Sequence, residues 1–295
     1  MTSGDKTLKA FAAINIWKRG SERAPHKPLL MLHALSQVQR GHQRLQPFVE
    51  IEPVLKKLLI EFGPSRRSYH PEYPFWKLQN DGIWQVTNAE DLKRRAGKSD
   101  PLRNELLQGS TEGGFTEEHY KTLSKRPEIL VAVARDILAA HFPSTLHSLI
   151  AKAIGIELEV SVRTSNRDSK FRDEVLTAWG HRCGFCGYDI KLGHADLGLD
   201  AAHIRWVQHG GPDISANGIA CCSIHHLAFD RGAIGIDEER RILISSLVHG
   251  GTFFDELFLK LQGKKINRPS LERALPRSEY LVWHQKQVFK GEART

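Results

Sequence analysis

Two short pairs, Cys183-Gly-Phe-Cys186 and Cys222-Ser-Ile-His225, flank a spaced series of His203, Asn217 and His226. All four cysteines of the chain lie between positions 183 and 222. Structural zinc takes four thiolate or imidazole ligands in a tetrahedron, often from two such pairs on tight turns. Gly184 and Gly187 permit a knuckle turn around the first pair. The second pair completes a Cys3His set, predicted to hold a structural Zn2+. Cys221 is the alternative fourth ligand, but its longer gap to His225 should turn its side chain elsewhere, which favours Cys222. Free thiols or a disulfide would be the competing reading. No signal peptide opens the chain, so a reducing, cytoplasmic setting is expected, and a disulfide is not.

The elements that must position these residues are short. Residues 197–206 read as a strand running towards a turn at His209-Gly-Gly-Pro212. Asn217-Gly218 marks a loop, Ile219–Cys222 a second strand, and Cys222–Phe229 a helix that stops near Arg231-Gly232. His226 and Asp230, four apart, share one face of that helix, an arrangement suited to a divalent cation.

With these residues in place, positions 171–236 resemble the HNH endonucleases of the ββα-metal type. The resemblance rests on His203, Asn217 and His226, framed by the two pairs, and on the ending Cys222-Ser-Ile-His-His-Leu-Ala-Phe-Asp-Arg-Gly232. It implies hydrolysis of a phosphodiester by water. His203 would be the general base, Asn217 the residue that orients it, and His226 a ligand of catalytic Mg2+, Mn2+ or a similar ion. The sequence departs from many such enzymes at Ala202, where they carry an acidic or histidine metal ligand. Asp200, on the same strand face as Ala202, and Asp230 are the candidate replacements. For Asp200 a strand-end cap is the competing reading.

The chain has 295 residues, enough for two domains, a formal net charge of +8 and 40% hydrophobic residues. No apolar run approaches a membrane span, and the positive charge suits a polyanionic partner. The expected organisation is α+β in two domains: a helix-rich DNA-reading domain at 1–155, a polar linker at 156–170, and the nuclease domain at 171–295. The nuclease domain should open with a helix from Phe171 to Trp179. It should continue with a strand at 237–248 and a helix at 253–261, and close with an amphipathic helix at 278–289, in which His284 is structural.

The first half reads as helices at 8–18, 28–39 and 51–62, the last ended by Gly63-Pro64. Two further helices are expected at 116–123 and 128–141. After the third helix, the proline- and aromatic-rich Ser65–Trp76 segment reads as a rigid irregular loop. Residues 78–86 read as a hairpin turning at Asn80-Asp81-Gly82.

This half resembles the sulfur-binding domains of restriction enzymes that recognise phosphorothioate-modified DNA. The likeness is carried by Ala24-Pro-His26-Lys27-Pro-Leu-Leu30, Glu61-Phe-Gly-Pro64, His70-Pro-Glu-Tyr73-Pro74-Phe-Trp76 and Leu78-Gln-Asn-Asp-Gly-Ile-Trp84. It covers residues 11 to 86, and more loosely continues to about residue 150. In such domains the sulfur that replaces a phosphate oxygen sits in a shallow apolar cavity. Sulfur is larger, more polarisable and a poorer hydrogen-bond acceptor than oxygen, so a proline and aromatic wall should prefer it. The resemblance implies Tyr73 and Pro74 for that cavity, with Trp76 supporting it. His26 and Lys27 would hold the modified phosphate or nearby bases, and Arg66 and Arg67 the backbone. Lys27 stands where many relatives carry arginine.

The two halves together predict a modification-dependent restriction endonuclease that binds phosphorothioated double-stranded DNA, in the nucleoid when bound, and cuts nearby. A homodimer would supply the two active sites of a double-strand break. Two rival readings are an HNH enzyme that reads methylated or other modified bases, and a reader whose nuclease domain is inactive.

Overall fold

The computed structural model describes residues 2–17, 20–95, 97, 99–108, 110–158 and 166–294, with the backbone alone for 166–169. Two compact units emerge, residues 1–19 with 24–160 and residues 20–23 with 161–295. Residues 159–165, within the segment expected to link them, lie outside the described residues. No helix among the described residues is long and apolar enough to cross a membrane.

The first unit is built around one nearly encircled helix. Helix α1 is Ser3–Ala12, capped by Thr2, whose hydroxyl accepts from the Asp5 amide. Helix α2, His26–Gln39, buries Leu29, Leu30, Met31, Leu32, Leu35 and Val38. A helix apolar on all sides must be a core element. Strand β1 (Gln46–Pro47) leads into α3 (Phe48–Phe62), which starts three residues before the predicted boundary and carries Pro53 inside it. Gly63 ends it by donating to the Leu59 carbonyl at 2.9 Å.

Two expectations fail in the next segment. The proline-rich stretch contains a helix, α4 (Glu72–Lys77), with Pro71 at its N-cap and Pro74 in its first turn. Proline lacks only a donor there that a helix start leaves unused, so it is tolerated. Residues 78–86 do not form a hairpin. Leu78–Asp81 is a 3-10 turn closed by Gly82 at φ 75°, and β2 (Trp84–Val86) pairs with a distant strand. After α5 (Arg103–Gln108), β3 (Glu112–Phe115) lies between β1 and β2, antiparallel to both, with Trp84 opposite Phe115 and Gln46 opposite Gly113. Gly113 allows this sheet to meet α4, since a Cβ there would lie 2.5 Å from the Phe75 ring. Helices α6 (Glu117–Lys125), α7 (Pro127–His141) and α8 (Ser144–Ile154) complete the unit.

In the second unit, α9 spans Asn166–Ala178, so helix occupies the end of the expected linker. Strands β4 (Lys191–Leu192) and β5 (Ala195–Asp196) form a small hairpin. Strands β6 (Leu199–His203) and β7 (Gly218–Cys222) pair antiparallel, with His203 opposite Gly218, and α10 (Ser223–Asp230) packs against both. The single strand expected at 237–248 is instead the hairpin β8 (Ile234–Ile236) and β9 (Ile242–Ile244). It reverses at Asp237–Arg240, where Arg240 takes φ 63°. Helices α11 (Thr252–Leu257) and α12 (Ser278–Gln287) follow. Phe171, Val175, Ile204, Ile219, Phe229, Ile234, Ile244 and Leu281 share one core. His284 of α12 is structural: its ring stacks on Phe229 at 3.7 Å, its Nε2 meets the Phe229 carbonyl at 3.0 Å, and burial lowers its pKa to about 3.

Candidate functional site

The Cys3His quartet assembles at the start of the second unit. Cys183 accepts no helix or sheet frame; its backbone turns through Gly187, at φ 78°, whose amide donates to the Cys183 carbonyl at 2.9 Å. Gly184 lets that turn lie flat on the core, for a Cβ would lie 2.7 Å from Trp179 and Ile219. Cys222 ends β7 and His225 sits in the first turn of α10. The ligand atoms of Cys183, Cys186, Cys222 and His225 all lie within 4.8 Å of one another. Among the described residues, this is the one group of three or more such donors close enough to share an ion. The Nε2 of His225 donates to the Leu257 carbonyl at 3.0 Å, which aims Nδ1 at the sulfurs, 3.2 Å from Cys222 and 3.8 Å from Cys183. Cys221 lies outside the quartet, and burial pushes its thiol well above its ordinary pKa. Three sulfurs and an imidazole fit zinc.

The histidine series sits where β6 and β7 meet α10. His203 ends β6, and its ring stacks on Phe171 of α9 with centroids 3.7 Å apart. Gly218 opens that space: a Cβ there would lie 2.4 Å from Val175 and 2.9 Å from Phe171. Nε2 of His203 lies 2.9 Å from Asp213 Oδ1. Asn217 is fully buried, and its amide binds both ends of the intervening loop. It accepts from the Arg205 amide at 2.9 Å and donates to the Arg205 carbonyl at 2.9 Å and the Pro212 carbonyl at 3.0 Å. The loop also needs Gly211, where a Cβ would lie 1.8 Å from the Arg205 carbonyl oxygen.

His226 and Asp230 meet across one turn of α10, Nε2 to Oδ2 at 3.4 Å, both largely shielded from solvent. One nitrogen and one carboxylate oxygen suit a borderline or hard divalent ion. Asp200 is placed differently. Its carboxylate accepts from Arg172 Nε at 3.0 Å and from the Ala201 amide at 2.9 Å, on an exposed part of β6. The structure thus commits it to α9 rather than to His226.

In the first unit the surface forms around α4. Pro74 and Trp76 are buried and Tyr73 is half-buried. The Tyr73 ring stacks on His70 at 4.9 Å, and Arg95 Nη1 donates to its hydroxyl at 2.6 Å. Buried Glu72 organises this group, taking His70 Nδ1 at 2.9 Å and Arg95 Nη2 at 3.4 Å. Arg94 lies over Trp76, 4.3 Å from the ring centroid. His26 opens α2. Burial, reinforced by Arg66 and His70, lowers its pKa to about 4, so near neutral pH it is an uncharged imidazole. Lys27 is not a free cation: its ammonium donates to the Asn15 carbonyl at 2.8 Å and pairs with Asp81. Arg66 and Arg67 are exposed on the preceding loop. Sequence reasoning missed Asp213, Phe171, Glu72, Arg94 and Arg95. The run Lys93-Arg-Arg95 was the available signal for the last two, and it reads equally well as a solvated charge run.

A family model described as ScoMcrA-like, DNA sulfur-binding domain, matches residues 4–159. A second, HNH endonuclease, matches residues 183–237. A search of the curated proteins finds no match. Among solved structures the chain is similar to the sulfur binding domain of ScoMcrA complexed with phosphorothioated DNA. That match has 24% identity and TM-score 0.45, and covers 50% of this chain and 94% of that one. It is also similar to the Type IV phosphorothioation-dependent restriction endonuclease ScoMcrA (20% identity, TM-score 0.42), covering 66% of this chain and 41% of that longer one. A third similarity is to the modification dependent TagI restriction endonuclease (22% identity, TM-score 0.30), covering 45% of this chain and 41% of that one.

Proposed function

The chain belongs to the ScoMcrA-like DNA sulfur-binding domain family and carries an HNH endonuclease domain, and from this premise we propose that it cuts DNA near phosphorothioate modifications. The observation that carries the reading is the joining in one chain of a sulfur-binding family match to an HNH match whose Asn217 is fully buried beside His203. Domains at 1–155 and 171–295 would divide the work of reading and cutting.

In reading, the half-buried Tyr73 ring and the Pro74 surface would take the sulfur, with Trp76 as support from below. His26 would donate or accept one hydrogen bond as a neutral group. Arg66 and Arg67 would hold the flanking phosphates, and Arg95, already oriented by Tyr73 and Glu72, would add charge beside the pocket. Lys27 would act indirectly, by fixing the turn at Asp81.

In cutting, His203 takes a proton from water as the water oxygen forms a bond to phosphorus. The P–O3′ bond breaks, leaving a 5′ phosphate and a 3′ oxygen that takes up a proton. His226 and Asp230 would hold a divalent cation such as Mg2+ or Mn2+, with Asp200 reaching it only if Arg172 releases it. When bound, that ion neutralises charge on the phosphate and the leaving oxygen. Asn217 keeps the loop, and with it the histidine, in place. The Cys183/Cys186/Cys222/His225 quartet would hold Zn2+ and no part of the substrate. A second copy of the chain would supply the second cut of a double-strand break.

The test pairs phosphorothioated and unmodified plasmids of one sequence, incubated with the full chain and Mg2+ or Mn2+. Cleavage confined to the modified plasmid, and lost in His203→Ala, is expected. Equal cleavage of both plasmids would refute the sulfur reading, and equal behaviour of wild type and His203→Ala the nuclease reading.

A further inference from the structure

We infer that Asp213 is the positioning residue for His203 and that Asn217 acts on the histidine through it. The inference rests on His203 being the base of the proposed nuclease, and it concerns a residue outside the histidine–asparagine–histidine series.

The loop between β6 and β7 must return the chain from His203 to Gly218, which lie opposite each other. The loop starts on buried Ile204 and Trp206, but the Gly210-Gly211-Pro212 stretch leading into Asp213 offers little side chain to hold it. The buried Asn217 amide supplies the missing constraint. Its hydrogen bond to the Pro212 carbonyl fixes the residue immediately before Asp213, and its pair of bonds to Arg205 fixes the residue two beyond His203. Asp213 and His203 are thus tethered to one rigid group, and the carboxylate meets the imidazole at 2.9 Å.

The imidazole is then constrained in two independent ways. Phe171 covers one face at an interplanar angle of 9°, which sets the plane of the ring. Asp213 takes an edge nitrogen, which sets rotation within that plane. A carboxylate oxygen accepts, so in this contact Nε2 donates the shared proton. None of this requires Asp213 to touch DNA or metal.

The inference separates Asp213 from a residue that merely shapes its loop. Asparagine is isosteric and keeps the loop's volume, but its amide can donate to the imidazole and place the proton on the wrong nitrogen. With the full chain and saturating modified plasmid, Asp213→Asn and Asp213→Ala should each lower the single-turnover nicking rate roughly 10²-fold, the scale of a misplaced catalytic group. DNA affinity and zinc content should not change, and Asp213→Glu should recover part of the rate. In full-length protein labelled with 15N-histidine, the His203 Nε2 proton should give a hydrogen-bonded, downfield resonance that Asp213→Asn moves upfield. Nicking by Asp213→Asn at the wild-type rate would overturn the inference, as would an unmoved His203 resonance. A rate loss shared with loss of zinc or of DNA affinity would also overturn it, by making Asp213 structural. A wild type inert with every divalent cation would refute the nuclease reading itself, whereas an active wild type with an indifferent Asp213→Asn refutes only this inference.

Discussion

At the residue scale the two neighbouring cysteines separate cleanly. Cys222 joins Cys183, Cys186 and His225, while Cys221 points into the core with its thiol raised by burial. Cys222→Ser should therefore abolish stoichiometric zinc binding and unfold the nuclease domain, because structural zinc contributes folding free energy directly. Cys221→Ser should keep its zinc and cost about 1–3 kcal/mol for burying a hydroxyl. Metal analysis with thermal melts checks both, and retained zinc in Cys222→Ser would refute the quartet. On the other unit, Pro74→Gln should remove the preference for sulfur in gel shifts, and Arg66→Ala should weaken modified and unmodified duplexes alike while lowering the salt slope. The Cys3His cluster was legible in the sequence because each pair is local and its spacing is the signal. Asp213 was not, because Gly-Gly-Pro-Asp is ordinary turn composition, and only the fold brings it to His203. Glu72 was hidden for the same reason.

At the element scale, prolines misled and glycines were undervalued. Pro71 and Pro74 read as breakers, yet they lie at the one end of a helix where their missing donors are harmless. The supposed hairpin turn at Gly82 closes a 3-10 turn instead, because β2 finds its partner across an insertion that no local pattern reveals. The helix-rich character of the first unit and the strand–strand–helix order around His203 were legible, since they follow from apolar periodicity. Two glycines that carry the sites were not. Gly113 admits Phe75 beneath the sheet, and Gly218 admits Phe171 against His203. Gly218 lies in extended backbone, at φ −124°, so its need is space and not conformation. Gly218→Ala should cost roughly 1–3 kcal/mol from overpacking and slow nicking by displacing Phe171, with DNA binding intact. Denaturant melts and single-turnover rates measure the two effects. An alanine variant as stable and as fast as wild type would remove the stacking argument.

At the scale of the whole molecule, three histidines, two buried and His26 partly so, make stability depend on pH. His26 and His33 have pKa values lowered to about 4, and His284 to about 3, in each case first by burial. The unfolded chain binds these protons near pH 6.5, so between the two values it holds more protons than the folded chain. Stability is then full above about pH 6.5 and falls as the pH drops towards the folded values. The melting temperature should decline steadily from pH 7 to pH 5, and His33→Gln should flatten that slope. A flat profile in wild type would show that these rings stay accessible.

The quartet at 183–225 also divides the chain. Its closure encloses both His203 and Asn217 in a single loop, and leaves every residue of the sulfur-binding match outside it. With zinc held there, a chain would depend on metal supply for the proposed catalysis but not for the proposed recognition. On the proposed function, the chain under zinc scarcity would become a ligand for modified DNA that occupies sites without breaking them, and metal loading would decide which of these two molecules is present.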